Sequence, residues 1–116
     1  MTISERAVGA LRVLDVDGPI TLGPSGADML SDKVRSLLQQ GDKNLIVNLA
    51  GVPYMDSTGL GALVHAYATT TRQGGSLKLL NLTARLQDLL VITKLITVFE
   101  SYDSEAAAVG SFGPAA

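Results

Sequence analysis

Apolar and polar positions along this chain switch repeatedly between the two-residue period of a strand and the longer period of a helix. The clearest alternation is ALRVLDV, residues 10–16, which stops at Gly18-Pro19 and predicts a strand with residues 2–8 pairing beside it. NLIVNLAG, residues 44–51, is almost continuously apolar, which is typical of a central strand covered on both faces. Strands are therefore predicted over 2–8, 10–16, 44–51, 76–82 and 95–102.

Between the strands, apolar residues recur at the spacing of a helix face. The first helix carries Leu30, Val34 and Leu37 on its buried side, and the second is expected over about 58–72. Shorter helices follow the last two strands. The predicted N-caps are Ser25 (with Asp28 in the first turn), Thr83 and Ser104, and the predicted stops are Gly41 and Gly74-Gly75.

The order β-β-α-β-α-β-α-β-α predicts an α/β fold whose sheet contains parallel neighbours. Residues 1–116 are expected to form a single domain, with a core of about 8–110 and a frayed tail over 111–116. The loops at 18–25 and 53–59 follow neighbouring strands and are expected to lie close together. In open α/β sheets, ligands and partners gather at such strand ends.

Composition and charge exclude several classes of function. The 116 residues are 47% hydrophobic with no Trp, which predicts one aliphatic core, and no cysteine is present for disulfides, metal binding or nucleophilic catalysis. The net charge is −2 and the basic residues are dispersed, so we expect no direct nucleic-acid partner. No signal peptide and no apolar run of about 18 residues is present, so a cytoplasmic protein without a membrane contact is expected.

The segment VPYMDSTGLGALV, residues 52–64, carries the candidate chemistry where a strand passes into a helix. Asp56 or Ser57 can cap the helix. Ser57 can also accept a phosphate, which the amides and dipole of a helix N-terminus tolerate. A nucleophilic serine is disfavoured, because M-D-S-T-G is not the G-x-S-x-G elbow and His65 is expected at the surface.

No cofactor or metal is expected elsewhere in the sequence. GPITLGPSG, residues 18–26, lacks the spacing of a phosphate-binding glycine loop and is interpreted as a loop with an extended centre. The acidic residues without metal-ligand spacing are interpreted as solvated faces and caps; they are Asp15, Asp17, Asp28 and Asp32.

Two stretches together resemble a known family. These are LAGVPYMDSTGLGALV and RQGGSLKLLNLTARLQDLLVITKL, and with the order of elements they make about residues 8–110 similar to the STAS domain, specifically to bacterial anti-sigma factor antagonists. The resemblance implies a small mixed sheet of about four to five strands with helices mainly on one face.

The resemblance also implies a function without catalysis. An antagonist of this kind binds an anti-sigma factor with serine/threonine kinase activity and so releases the sigma factor. Phosphorylation of the serine after the Asp, here Ser57, ends that binding, and a PP2C-type phosphatase restores it; Thr58 is a secondary acceptor only. The partner-binding residues implied are Thr21, Gly23, Asp56, Ser57, Thr58, Gly59, Leu60 and Gly61.

The sequence departs from the family pattern at two places. Many antagonists carry Gly-Glu-hydrophobic-Asp after the second strand, where this chain has Gly18-Pro19-Ile20-Thr21, and the partner surface is therefore expected to differ. Lys94 stands where many members have Gly, at a helix end that favours a positive φ. The alternative function is a STAS scaffold or accessory subunit, for example of a stress complex or a lipid transporter, in which Ser57 only caps the helix.

Overall fold

The computed structural model describes residues 1–113, whose elements follow the predicted order. They are β1 (Thr2–Val8), β2 (Leu11–Asp17), α1 (Ala27–Gln39), β3 (Asn44–Gly51), α2 (Ser57–Arg72), β4 (Ser76–Leu80), α3 (Ala84–Ile92), β5 (Ser101–Tyr102) and α4 (Glu105–Gly110). None of the helices within residues 1–113 is long and apolar enough to cross a bilayer.

The strands form one mixed sheet in the order β1-β2-β3-β4-β5. β1 pairs with β2 antiparallel, because only two residues connect them, whereas every later pair is parallel and is joined through a helix. β3 therefore occupies the centre of the sheet, as its unbroken apolar sequence predicts. The α/β fold with a small mixed sheet is confirmed.

The two faces of the sheet are covered unequally. α1, α2 and α3 pack on one face, where Leu45, Val47 and Leu49 of β3 join the main core. Ile46 points to the other face and lies in a smaller cluster with Ala108 of α4. The helices thus lie mainly on one face. Residues of β3 alternate between the two apolar clusters, which explains why its sequence is almost continuously apolar.

The start of α1 differs from the prediction. The N-cap is Gly26 rather than Ser25, and no side chain caps the helix. Instead, the Ala27 amide donates to the Thr21 carbonyl at 2.7 Å, so the preceding loop satisfies the first turn. A Cβ on Gly26 would lie 2.2 Å from that same oxygen, so only glycine permits this approach.

The other predicted helix ends are confirmed. Thr83 accepts from the Leu86 amide at 3.3 Å and Ser104 from the Ala107 amide at 3.1 Å. Gly41 has a φ of +92° just past α1, and Lys94 has a φ of +61° just past α3. The lysine therefore adopts the left-handed conformation for which glycine is favoured.

Two strands are shorter than predicted. β4 ends at Leu80, since Asn81 has a φ of +59° and leaves the extended conformation. Only Ser101 and Tyr102 of the predicted strand 95–102 pair, because the amides of Leu95 and Ile96 donate back to the Leu90 carbonyl and close the end of α3. The apolar residues Leu95 and Ile96 therefore pack against the core instead of pairing in the sheet.

The beginning of the predicted tail is packed. Lys78, on β4, donates to the Ser111 carbonyl at 3.2 Å, and its Nζ lies 4.4 Å from the centre of the Phe112 ring. The prediction of a frayed tail is thus wrong for Ser111 and Phe112, which cover the smaller apolar cluster. The rest of that prediction, residues 114–116, lies outside the described residues.

Candidate functional site

The loops after β2 and β3 lie side by side, as predicted. Ile20 and Met55 form an isolated parallel bridge. The Ile20 amide donates to the Tyr54 carbonyl at 3.2 Å, and the Asp56 amide donates to the Ile20 carbonyl at 3.3 Å. The loop after β2 therefore runs as a short extended strand beside the start of α2.

The side chain of Asp56 joins the two loops. Oδ1 accepts from the Gly59 amide at 2.7 Å and caps α2, while Oδ2 accepts from the Leu22 amide at 2.9 Å. These hydrogen bonds, first from Gly59 and then from Leu22, lower the pKa of Asp56 below its ordinary value. The carboxylate is therefore charged at neutral pH, and its role is to hold Leu22 against the first turn of the helix.

Gly59 allows the close packing of these two segments. A Cβ at this position would lie 2.0 Å from the Ile20 carbonyl oxygen, far inside van der Waals contact. Gly61 differs, because a Cβ there would meet nothing within 4 Å. The two glycines of the S-T-G-L-G string thus have separate roles: Gly59 is required by the fold, whereas Gly61 leaves an open surface.

Ser57 is the first residue of α2, and both it and Thr58 are exposed. Within residues 1–113, no hydrogen bond engages the Ser57 hydroxyl; the cap is supplied by Asp56 instead. The amides and dipole of this 16-residue helix favour an anion at this end. Ser57 can therefore be modified without the loss of a helix cap.

Not every residue predicted to bind a partner is accessible. Gly59 is buried and Leu60 is only 9% exposed, with its side chain in the main core. Leu60, one of the implied partner-binding residues, therefore offers a partner little side-chain surface, since α2 turns this side chain inward. Thr21 and Gly23 are half-buried in the loop, and Gly61 is exposed on α2.

Sequence reasoning missed Leu22, between two of the predicted residues. Its side chain is 75% exposed although its backbone amide is bound to Asp56. An isolated leucine within a Gly/Pro-rich loop is the signal that points to it.

A groove was also missed. Its volume is about 360 Å³, and it lies between the segment before α2 and helix α3. The Arg85 guanidinium lies 5.5 Å from the centre of the Tyr54 ring at this groove. The lining residues are Tyr54, Met55, Arg85, Leu86, Asp88, Leu89 and Ile92.

His65 and Asp15 both lie within hydrogen-bond distance of other polar side chains. His65 is exposed and lies 3.5 Å from the Thr69 hydroxyl, one turn further from Ser57. Among residues 1–113, no three or more His, Asp or Glu residues are grouped so as to hold a metal ion. Asp15, expected at a solvated face, is half-buried and accepts instead from Arg6 and Asn48.

A model of the STAS domain matches residues 2–108. Because this match covers nearly the whole chain, the protein belongs to the STAS domain family.

Two sequence relatives within this family are anti-sigma-B factor antagonists. The protein of Bacillus subtilis is 45% identical over 74 residues, which are 64% of this chain and 67% of that protein. The protein of Staphylococcus epidermidis is 36% identical over 66 residues, or 57% of this chain and 61% of that one. The resemblance to bacterial anti-sigma factor antagonists is thus confirmed.

Solved structures share the fold. A crystal structure from Thermotoga maritima has a TM-score of 0.87 at 20% identity and covers 94% of this chain and 92% of its own. The phosphorylated form of the Bacillus cell fate determinant SpoIIAA has a TM-score of 0.74 at 18% identity, over 96% of this chain and 99% of its own. At such identities the likeness concerns the fold alone.

Proposed function

We propose that this protein binds an anti-sigma factor with serine/threonine kinase activity, thereby releases a sigma factor, and is switched off by phosphorylation of Ser57. The observation that carries this proposal is the exposed Ser57 hydroxyl at the first position of α2, beside a cap that Asp56 supplies. The relatives named anti-sigma-B factor antagonists support the choice of partner class.

Phosphorylation at this position changes the surface while it preserves the fold. A phosphate adds about −1.5 to −2 charges at neutral pH. The N-terminus of α2 stabilises that anion, so the helix persists. Asp56, whose pKa is lowered, is already negative next to it. The combined charge of about −2.5 to −3 repels a partner surface that accommodates a neutral serine, and it carries a large cost of desolvation on binding.

The proposed reaction needs no catalytic group in this chain. The kinase partner supplies ATP, Mg²⁺ and the base that takes the serine proton, and the phosphoryl group passes from ATP to Ser57 Oγ with ADP as the product. Hydrolysis of the phosphoserine by a PP2C-type phosphatase returns the binding form. Such a regulator acts with its sigma factor in the cytoplasm.

The test mixes the purified chain with the anti-sigma kinase encoded in the same genome, first with ADP and then with ATP. We expect a complex with ADP, the mass of one phosphate on Ser57 after ATP, and release of the phosphorylated chain. Ser57→Ala should bind without being modified, whereas Thr58→Ala, an exposed neighbour, should behave as the wild type. Phosphate found only on Thr58, or none with a kinase that does bind, contradicts the proposal.

Ser57→Asp separates this function from the alternative of a STAS scaffold. The switch predicts that the added carboxylate weakens the complex, since it places a second negative charge beside Asp56. A scaffold subunit, in which Ser57 only begins the helix, predicts the same affinity for Ser57→Asp and for the wild type. Calorimetry that measures the affinity of both proteins for the anti-sigma kinase decides between the two functions.

A further inference from the structure

The loop after β2 presents one large hydrophobic side chain to solvent and carries no charged residue. The ten residues 18–27 contain no Asp, Glu, Lys or Arg, so this loop cannot form an ion pair with a partner. Leu22 projects from its centre and is 75% exposed. Single exposed leucines are common on protein surfaces, and the meaning of this one depends on how it is held.

Leu22 is held firmly for an exposed residue. Its own amide donates to Asp56 Oδ2 at 2.9 Å, and the carbonyl of the preceding Thr21 accepts from the Ala27 amide at 2.7 Å. Glycines at 26 and 59 let the helices on either side approach the loop within distances that a Cβ would forbid. The backbone at Leu22 is therefore preorganised, and little backbone entropy is lost when a partner contacts the side chain.

The position of Leu22 relates it to the acceptor serine. One carboxylate, that of Asp56, holds both the Leu22 amide and the first turn of α2, where Ser57 lies. On the neighbouring loop, Tyr54 is 42% exposed, and its carbonyl accepts from Ile20. Leu22 and Tyr54 thus lie on the two loops that adjoin the first turn of α2, and their exposed side chains form an apolar edge near Ser57.

Resting on the proposed function, we propose that Leu22 is the specificity-determining residue of the kinase contact and that it inserts into an apolar pocket on the partner. The partner is thus recognised at this loop by burial of a leucine and not by ion pairs. A kinase whose matching surface is basic does not fit an uncharged loop. The acidic pattern Gly-Glu-hydrophobic-Asp typical of related chains is replaced here by a different mode of recognition.

The test measures affinity and phosphorylation of Leu22 variants with the anti-sigma kinase encoded in the same genome. Leu22→Ala should weaken the complex about 10- to 50-fold, because three side-chain carbons leave a desolvated contact, and Leu22→Asp should weaken it further. The KM for Ser57 phosphorylation should rise by the same factor, while kcat stays within about two-fold, because Leu22 does not touch the reacting atoms. Raising the salt concentration should change the affinity of the wild type little.

Val91→Ala is the matched control, since Val91 is 53% exposed on α3 and is not among the residues that line the groove beside Tyr54. It should bind within about two-fold of the wild type. Equal losses for Val91→Ala and Leu22→Ala, unchanged binding of both Leu22 variants, or an affinity that falls steeply with salt each overturn the role of Leu22. If those results come with normal phosphorylation of Ser57, the proposed function survives; a wild type that neither binds nor is phosphorylated overturns both.

Discussion

Substitution of two glycines in the same helix, Gly59→Ala and Gly61→Ala, should change stability in opposite directions. Helix propensity alone predicts a gain of up to about 1 kcal/mol for each, because alanine loses less backbone entropy. At Gly61 nothing opposes this gain, since a Cβ would meet no atom within 4 Å. We therefore expect Gly61→Ala to be about 0.5–1 kcal/mol more stable than the wild type.

At Gly59 the contact with the loop outweighs helix propensity, so the change in the free energy of unfolding should have the opposite sign. The new Cβ would lie 2.0 Å from the Ile20 carbonyl oxygen, and the loop must retreat by about 1.4 Å to reach ordinary contact at 3.4 Å. That movement breaks the hydrogen bonds of Ile20 with Tyr54 and Asp56, each with a net contribution of about 1 kcal/mol. It also loosens the packing of Ile20, a fully buried side chain. After the gain in helix propensity is subtracted, we expect the free energy of unfolding to fall by about 2–4 kcal/mol.

Urea denaturation of the three purified proteins measures both effects, and thermal melts should place Gly59→Ala about 8–16 °C below the wild type. The matched pair removes the common contribution of helix propensity, so the difference between the variants reports the contact with the loop. Equal stability of Gly59→Ala and the wild type, or an equal loss in Gly61→Ala, would refute the argument that the loop is held at this distance.

Two further predictions concern Asp56 and Leu60. The pKa of Asp56 lies below its ordinary 3.8, so its contribution to stability is complete above that value and is lost as the pH falls through the lower folded value. In urea titrations the advantage of the wild type over Asp56→Asn should therefore shrink between pH 5 and pH 2, and a constant difference would contradict it. Leu60→Ala should cost about 2–3 kcal/mol, since the side chain lies in the core, whereas exposed Thr58→Ala should stay within about 0.5 kcal/mol. An undiminished unfolding midpoint for Leu60→Ala would show that this leucine faces solvent after all.

Prediction from sequence succeeded where a signal is local and periodic. The boundaries of α2 follow from its apolar spacing and from Gly74-Gly75, and the caps Thr83 and Ser104 are identified by residue type alone. It failed where a backbone group replaced a side chain. Ser25 has the residue type of an N-cap, yet the first amide of α1 donates to the Thr21 carbonyl. Every residue has a backbone carbonyl, so no sequence pattern predicts which one accepts this hydrogen bond.

The candidate site divides in the same way. The string M-D-S-T-G already indicates that Ser57 stands at a strand-to-helix junction, next to a residue able to cap the helix. The motif does not show which side chains around Ser57 are accessible, because the buried face of α2 is defined only once the helix is docked on the sheet. Docking buries most of the Leu60 side chain and leaves Leu22 exposed.

The sequence by itself thus determined the order of elements, the central strand, the family and the identity of the candidate acceptor, because periodicity, turn chemistry and a contiguous motif are properties of neighbouring residues. Only the tertiary structure decided that Asp56 holds two loops with one carboxylate, that a Cβ would collide with the Ile20 carbonyl at Gly59 but meet nothing at Gly61, and that Leu22 is exposed. Those features depend on distances between segments 34 residues apart along the chain. Such distances are set by packing of the whole core, not by any one segment.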